Sequence, residues 1–382
     1  MSGRMEEEMY TEASLARVAK RENNNKRKYL VVNPLQGKHV PVGGAAALSM
    51  FDALAARVRA AYPGQSGERL LLVGFAETAT AIGARLAVTL GTLYMQTTRE
   101  VLENAGYLFF TESHSHATEQ KLCKDDVDGV IGRIDRIIFV EDEVTTGNTI
   151  MKIINIIESR YEAPVKFAVA SLLNGMEPAS LERYAQRGVD VHYLVKTHHE
   201  GYTAVAEGYR EGSGYIGRMT ADSDAAVTDV SEGYINTRRL CGGREYGEAC
   251  DALAQRVAAG IPEGAETVAV IGTEEFMYPA IHTAALLGER GIQAFTHSTT
   301  RSPIAVSEDE GYPLSKRYEL ASLYDGGRRT FIYDLRKYDC VIVLTDAPVI
   351  SDEGLSSLTG ALRSAGNENI QVYRWCGNGK RQ

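Results

Sequence analysis

No two cysteines of the chain stand at a CxxC spacing; the five, Cys123, Cys241, Cys250, Cys340 and Cys376, are scattered. That scatter argues against a zinc framework or a disulfide scaffold and points to reduced thiols in a cytoplasm. No apolar run approaches bilayer-spanning length, and the opening Met-Ser-Gly-Arg-Met-Glu-Glu-Glu does not read as a signal peptide. Positive charge is scarce as well: 41 Lys and Arg stand against 50 Asp and Glu, a net charge of −9. A broad surface for the nucleic-acid backbone is thereby disfavoured, and with no long apolar run a membrane partner is not expected either. The one locally basic stretch, residues 20–28, reads as a solvated arm. What remains is 382 residues with 44% apolar content, enough for two domains with separate cores.

The most informative stretch is residues 137–150. Ile137, Ile138, Phe139 and Val140 form a short continuous apolar run, the pattern of a buried parallel strand. Glu141 and Asp142 sit where that strand should end. Thr145, Thr146, Gly147, Asn148 and Thr149 then turn the chain into an apolar-periodic helix carrying Ile150, Ile153, Ile154 and Ile157. Such a turn offers backbone N–H groups, hydroxyls and the positive end of a helix to a phosphate. Paired carboxylates accept hydrogen bonds from neighbouring ribose hydroxyls. Gly147 lets the backbone approach a ligand closely.

This combination resembles the type I phosphoribosyltransferases, whose fingerprint is an apolar strand, two acids, two variable residues and a Thr/Gly phosphate loop. Glu141-Asp142-Glu143-Val144-Thr145-Thr146-Gly147-Asn148-Thr149 fits it throughout. The resemblance implies an α/β fold with a parallel sheet flanked by helices. It implies that Glu141 and Asp142 hold the ribose of phosphoribosyl pyrophosphate (PRPP), and that residues 145–149 hold its 5-phosphate. Mg2+ is the implied cofactor, bound mainly through PRPP and water with no direct protein ligand expected. A homodimer is implied too.

Taken in order, residues 1–27 are a polar arm with a short helix over 11–20, and a strand follows at 28–32. Lys38 and His39 come next; by the resemblance they are candidates for the hood that covers the acceptor, and a plain surface loop is the other reading. A helix over 44–61 precedes a strand at 70–73 and the loop Gly74-Phe75-Ala76-Glu77-Thr78. The family places its pyrophosphate loop there, often with a non-proline cis peptide. Glu77 is unexpected beside a polyanion and reads as a water-mediated magnesium contact or as a residue that orders the loop. Arg99, after a strand at 93–96, is a candidate partner of the leaving pyrophosphate. Residues 107–110 form the next strand, and the loop after it corresponds to the family's mobile cover. His114 and His116 in that loop allow three readings: proton or hydrogen-bond donors, a metal pair lacking a nearby third ligand, or plain loop residues. The Lys-x-His-Gly pattern of orotate-specific enzymes is absent. A strand at 166–173, a helix at 177–187 and a strand at 189–195 complete a phosphoribosyltransferase domain spanning 28–197. Residues 198–233, rich in Gly and Tyr, read as a linker or functional loop, and 234–382 as a second domain.

The second domain repeats the first. Asp52-Ala-Leu-Ala-Ala-Arg-Val recurs as Asp251-Ala-Leu-Ala-Gln-Arg-Val, and Val73-Gly74-Phe75-Ala76-Glu77 as Ile271-Gly272-Thr273-Glu274-Glu275. Thr97-Thr98-Arg99 recurs as Thr299-Thr300-Arg301, and Ile138-Phe139-Val140-Glu141-Asp142 is answered by Ile342-Val343-Leu344-Thr345-Asp346. Order and spacing favour duplication, with a second, degenerate α/β domain of similar layout. Glu275, Arg301 and Asp346 are its candidate site residues. Asp346 is followed by Ala347 and Pro348, and no Thr-Thr-Gly, so PRPP is not expected to bind there in the same way. Thr300-Arg301-Ser302-Pro303 is similar to the signature of the TRSP domain, which follows the phosphoribosyltransferase domain in a bacterial subfamily linked to tellurite-resistance and stress gene clusters. Together these readings imply a magnesium-dependent transfer of ribose 5-phosphate from PRPP to a nitrogenous acceptor. The alternative is a catalytically silent PRPP sensor.

Overall fold

The computed structural model describes residues 10–22, 28–64, 67–111, 119–221 and 227–377. The chain divides into two compact units, and neither is continuous in sequence. Described residues of the first lie within 10–12, 50–198 and 236–248; those of the second lie within 13–49, 199–235 and 249–377.

The first unit is built on a six-stranded sheet. Its strand order is Asp190–Lys196, Lys166–Asn174, Arg136–Val144, Leu70–Gly74, Leu93–Gln96 and Cys241–Gly242. All neighbours are parallel except the last, which pairs antiparallel. Leu71, Leu72, Val73, Ile138, Phe139, Val140, Ala168 and Val169 are all buried. Continuous burial along a strand means that both faces of the sheet are covered, which is why these strands read as unbroken apolar runs. The helix Asn148–Arg160 turns Ile150, Ile153, Ile154 and Ile157 inward. The helix Thr80–Leu90 stops at Gly91, whose φ of 67° lets its N–H close on Ala87 and Val88 carbonyls. A hairpin, Tyr107–Thr111 with Glu119–Cys123, completes the unit.

The second unit repeats this plan with a sheet in the order Val227–Val230, Ile370–Trp375, Cys340–Thr345, Thr267–Thr273, Gln293–Thr299 and Val42–Gly43. Again only the short edge strand is antiparallel. Its core joins Ile271, Val341, Val343 and Val372 from the strands to Leu358 and Leu362 of the helix Asp352–Ser364. The strands that carry or lead into three of the four recurring sequence segments occupy matching places in the two sheets. In both units a two-residue edge strand runs straight into a helix that starts on glycine, Gly44 or Gly243. A Cβ on Gly44 would lie 2.3 Å from the Ala285 nitrogen, and one on Gly243 would lie 2.3 Å from the Ala87 oxygen. Each glycine is therefore a close-approach point against the second helix of its unit.

Several sequence expectations change. Residues 17–20 are a strand, Arg17–Lys20, paired antiparallel with Tyr29–Val32; only Glu12–Leu15 is helical. Leu15 and Ala19 are fully buried, so this part of the expected arm belongs to a packed hairpin. Residues 28–49 were expected in the first domain, but Val42–Gly43 pairs with Gln293–Thr299 and that segment falls in the second unit. Cys241–Gly242, expected in the second domain, pairs with Leu93–Gln96 in the first. The stretch 198–233 holds a helix, Tyr202–Gly208, and strands Tyr215–Ile216 and Val227–Val230. Among the described residues, no helix is long and apolar enough to cross a membrane.

The second unit also buries two histidines. His297 is fully buried, and among the described residues neither ring nitrogen has a hydrogen-bond partner. Burial, aided by Arg336, pushes its pKa down to about 3. His39 is shifted the same way, by burial and then by Lys38. Below the ordinary value of 6.5 an unfolded chain takes up a proton that the folded His297 refuses until about pH 3. Stability is therefore lost as pH falls through that window, by about 1.4 kcal/mol per unit at most for each ring. Urea titrations at pH 7 and pH 5 check this: the drop should shrink by roughly 2 kcal/mol in His297→Leu. An equal drop in the variant would refute it.

Candidate active site

The three sequence-predicted loops of the first unit leave neighbouring strands at one edge of its sheet. Gly74 pairs with Val140 on one side and with Gln96 on the other. Residues 75–78, 97–99 and 141–149 therefore emerge side by side at the carboxyl ends of parallel strands. The strand Leu70–Gly74 is followed in the chain by its neighbour on one side, Leu93–Gln96, and later by its neighbour on the other, Arg136–Val144. That reversal opens a crevice at the strand ends, the usual ligand position in open α/β sheets.

The strand Arg136–Val144 runs past the acidic pair that was expected to end it, because Glu141 and Glu143 continue the pairing with Ser171 and Leu173. Glu141 and Asp142 are half-buried there, and Asp142 Oδ1 accepts a 2.8 Å bond from the Glu143 N–H. Beyond Val144 the chain turns through Gly147, at φ 69°, into the helix that begins at Asn148. Gly147, at the cap position, has no side chain to cap that helix, and the Thr146 hydroxyl accepts a long 3.4 Å bond from the Asn148 N–H. The helix's first-turn N–H groups and the positive end of its dipole face the turn, the arrangement that suits a phosphate. The loop is held from behind. Tyr184, fully buried, donates a 2.6 Å bond to the Gly147 carbonyl, and Arg183 donates 2.9 Å bonds to the Thr146 carbonyl and Asn148 Oδ1. Burial pushes the Tyr184 hydroxyl pKa up; Arg183 opposes that shift and Glu141 adds to it.

The loop after Leu70–Gly74 contains a cis peptide between Ala76 and Glu77, where the resemblance implied one. Phe75 donates to the Val140 carbonyl at 3.0 Å, which ties this loop to the acidic strand. Close packing at Gly74 leaves no space for a side chain, since a Cβ would lie 2.8 Å from the Tyr94 hydroxyl. Glu77, unexpected beside a polyanion, is buried with its carboxylate 3.9 Å from Arg99 Nη1. The arginine thus offsets the acid within the loop cluster.

Other expected residues fall elsewhere. His114 and His116 lie outside the described residues. Lys38 and His39, expected over the acceptor, belong to the second unit: Lys38 Nζ donates to Ser302 Oγ at 3.3 Å, and the His39 ring meets Tyr333 edge-on at 5.6 Å. Pairing of Val42–Gly43 with Gln293–Thr299 carries them there. Of the second-unit candidates, Arg301 and Asp346 sit at the carboxyl ends of that unit's strands. Arg301 Nε donates to Glu274 at 2.6 Å, and Arg328 joins the same carboxylate at 3.0 Å. Asp346 accepts a 2.6 Å bond from the Tyr324 hydroxyl, and Glu275 is buried. Glu274, at φ 49°, is the centre of that cluster; it stands opposite Ala76 in the repeat, and the sequence reading chose its neighbour Glu275 instead. Sequence reading also missed Thr97, Gln120, Arg183 and Tyr184. Gln120 left one signal: strand alternation puts it on the inward face with Leu122.

Residues 15–199 match the model of a family described as phosphoribosyl transferase, PRTase_2. The class that this match supports is that of the phosphoribosyltransferases. Residues 242–362 match a second model, described as the TRSP domain C terminus to PRTase_2, so the chain carries a phosphoribosyl transferase domain followed by a TRSP domain. No curated protein sequence matches the chain. Among solved structures, adenine phosphoribosyltransferase from Rhodothermus marinus is similar at 16% identity and a TM-score of 0.35, over 51% of this chain and 99% of that one. The enzyme from Giardia lamblia, complexed with 9-deazaadenine, aligns at 18% identity and a TM-score of 0.34, over 48% and 95%. The one from Leishmania donovani aligns at 15% and 0.36, over 68% and 93%.

Proposed function

We propose that the first unit transfers ribose 5-phosphate from PRPP to a nitrogen of a base-like acceptor and releases pyrophosphate. The observation that carries this is the register of Gly74 between Val140 and Gln96, which sets an acidic pair, a phosphate loop and an arginine-bearing loop side by side. Glu141 and Asp142 accept hydrogen bonds from the ribose hydroxyls, and residues 145–149 bind the 5-phosphate. Residues 74–78 and Arg99 face the diphosphate. The acceptor nitrogen forms a bond to C1 as the C1–oxygen bond breaks. That electron pair leaves with pyrophosphate, and the nitrogen gives up its proton. Catalysis on this reading rests on positioning and on charge placed where the leaving group develops.

Glu141 and Asp142 are half-buried oxygen donors, a chemistry that fits Mg2+ held partly through ligand and water. Among the described residues no cluster of three or more His, Cys, Asp or Glu is placed to hold a metal alone. When bound, magnesium would supply positive charge to the diphosphate. Calorimetric titration of PRPP with and without magnesium tests the reading, followed by pyrophosphate release across nitrogenous bases. Magnesium-dependent binding with release supports transfer. Binding with no release for any base identifies a PRPP sensor instead. No binding removes the proposal.

A further inference from the structure

Three hydrogen bonds close a ring around the backbone of one residue of the first unit, Ala76. The Ala76 N–H donates to Thr97 Oγ1 at 2.8 Å, the Thr97 hydroxyl donates to Gln120 Oε1 at 2.9 Å, and Gln120 Nε2 donates to the Ala76 carbonyl at 2.6 Å. All three residues are buried, Thr97 fully. The ring has one consistent proton arrangement. The Thr97 oxygen already accepts from Ala76, so its proton goes to the amide oxygen of Gln120, and only the amide nitrogen is left to meet a carbonyl. Flipping the amide would set two acceptors against each other at Ala76.

Backbone groups also tie this loop inward: Phe75 donates to the Val140 carbonyl, Ala79 to the Phe75 carbonyl and Thr97 to the Gly74 carbonyl. Those bonds survive any side-chain change. Ala76 is different, because side chains from two distant elements hold both its N–H and its C=O, one group on each of the peptides that flank it. The spacing of the two elements is itself fixed, since Thr98 and Lys121 exchange backbone bonds of 2.8 and 3.0 Å. Thr97 and Gln120 are thus side chains that hold the backbone from which Glu77 and Thr78 follow.

We infer that Thr97 and Gln120 are positioning residues for the diphosphate: they fix the backbone on both sides of Ala76 so that residues 77 and 78 meet the leaving group in one geometry. This rests on the function proposed above for the first unit. Neither residue touches the reacting atoms, so the effect must be confined to ligands that carry the diphosphate.

The test uses the full chain with Thr97→Val, Gln120→Met and Thr97→Ser. Hydrogen exchange without ligand reads the ring directly. Protection of the Ala76 amide should fall in the first two variants and persist in Thr97→Ser, which keeps the hydroxyl. Unchanged protection in both Thr97→Val and Gln120→Met would overturn the inference. Calorimetry then compares PRPP with ribose 5-phosphate, which lacks the diphosphate. PRPP affinity should drop about 100-fold, the scale expected for a misplaced contact, with ribose 5-phosphate affinity unchanged. Equal losses for the two ligands would mean a general disturbance and overturn the positioning role. A wild type that binds ribose 5-phosphate and ignores PRPP would remove the diphosphate role and the proposed transfer together, while exchange still reports whether the ring holds the loop.

Discussion

Replacing Glu141 and Asp142 together by alanine should abolish pyrophosphate release while the chain stays folded. Each carboxylate accepts charge-assisted hydrogen bonds from the ribose on the proposed reading, and such bonds contribute about 1.5–3 kcal/mol each. Losing one bond per residue therefore costs about 3–6 kcal/mol, or roughly 100-fold to 10,000-fold or more in kcat/KM. Both residues are half-buried, and the Asp142 bond to the Glu143 N–H is a local one that water can replace. The register of that strand is set by backbone pairing with Lys166–Asn174 and Leu70–Gly74, which alanine keeps. Circular dichroism melts should stay within a few degrees of wild type, the scale of about 1 kcal/mol in a large domain. Full turnover in a folded double variant would sink the assignment of the ribose site. Glu141→Gln with Asp142→Asn should fall between, since the amides keep an acceptor and lose the charge.

The parts of this site that were legible in the sequence are those that local chemistry writes along the chain. An unbroken apolar run from Ile137 to Val140 needs no partner to be read as a buried strand, and the acids, threonines and Gly147 follow within nine residues. The parts that were not legible depend on pairs far apart. Gln120 meets Ala76 across 44 residues, and Tyr184 meets Gly147 across 37. The hairpin Arg17–Lys20 with Tyr29–Val32 shows propensity overruled by packing: Glu12, Ala13, Leu15, Ala16 and Arg17 favour helix, yet pairing with residues 29–32 and burial of Ala19 win over the last of them. The division of the chain was hidden for a similar reason. Val42–Gly43 and Cys241–Gly242 are two-residue strands, too short to carry any periodicity, yet the pairing of the first carries Lys38 and His39 into the second unit and that of the second places residues 241–242 in the first. The duplication was readable because it spans many residues, and a repeat survives where single contacts cannot be seen.

Gly147→Ala should damage the phosphate loop more than any other single methyl group added at a positive-φ glycine of the first unit. Two costs coincide there. At φ 69° a side chain is strained by about 1–2 kcal/mol. The new Cβ would also lie 2.4 Å from the Tyr184 hydroxyl oxygen and 2.7 Å from the ring, a contact real structures do not tolerate. Tyr184 is fully buried and anchored on the Gly147 carbonyl, so it has no room to withdraw. Overpacking of this kind adds about 1–3 kcal/mol. The cheaper escape is for the loop itself to move, which breaks the Tyr184 bond and swings the residues 145–149 away from the phosphate. Ribose 5-phosphate and PRPP should then both weaken by at least about 30-fold, taking roughly 2 kcal/mol as the part expressed in binding. Gly188 supplies the control. It has φ 65° in the same unit, and a Cβ there would meet nothing within 4 Å. Gly188→Ala should show the backbone strain alone: a modest fall in melting temperature with ligand affinity unchanged. Comparable ligand affinities in the two variants would mean that Tyr184 does not brace the loop, and that the phosphate is held by something other than the turn at Gly147.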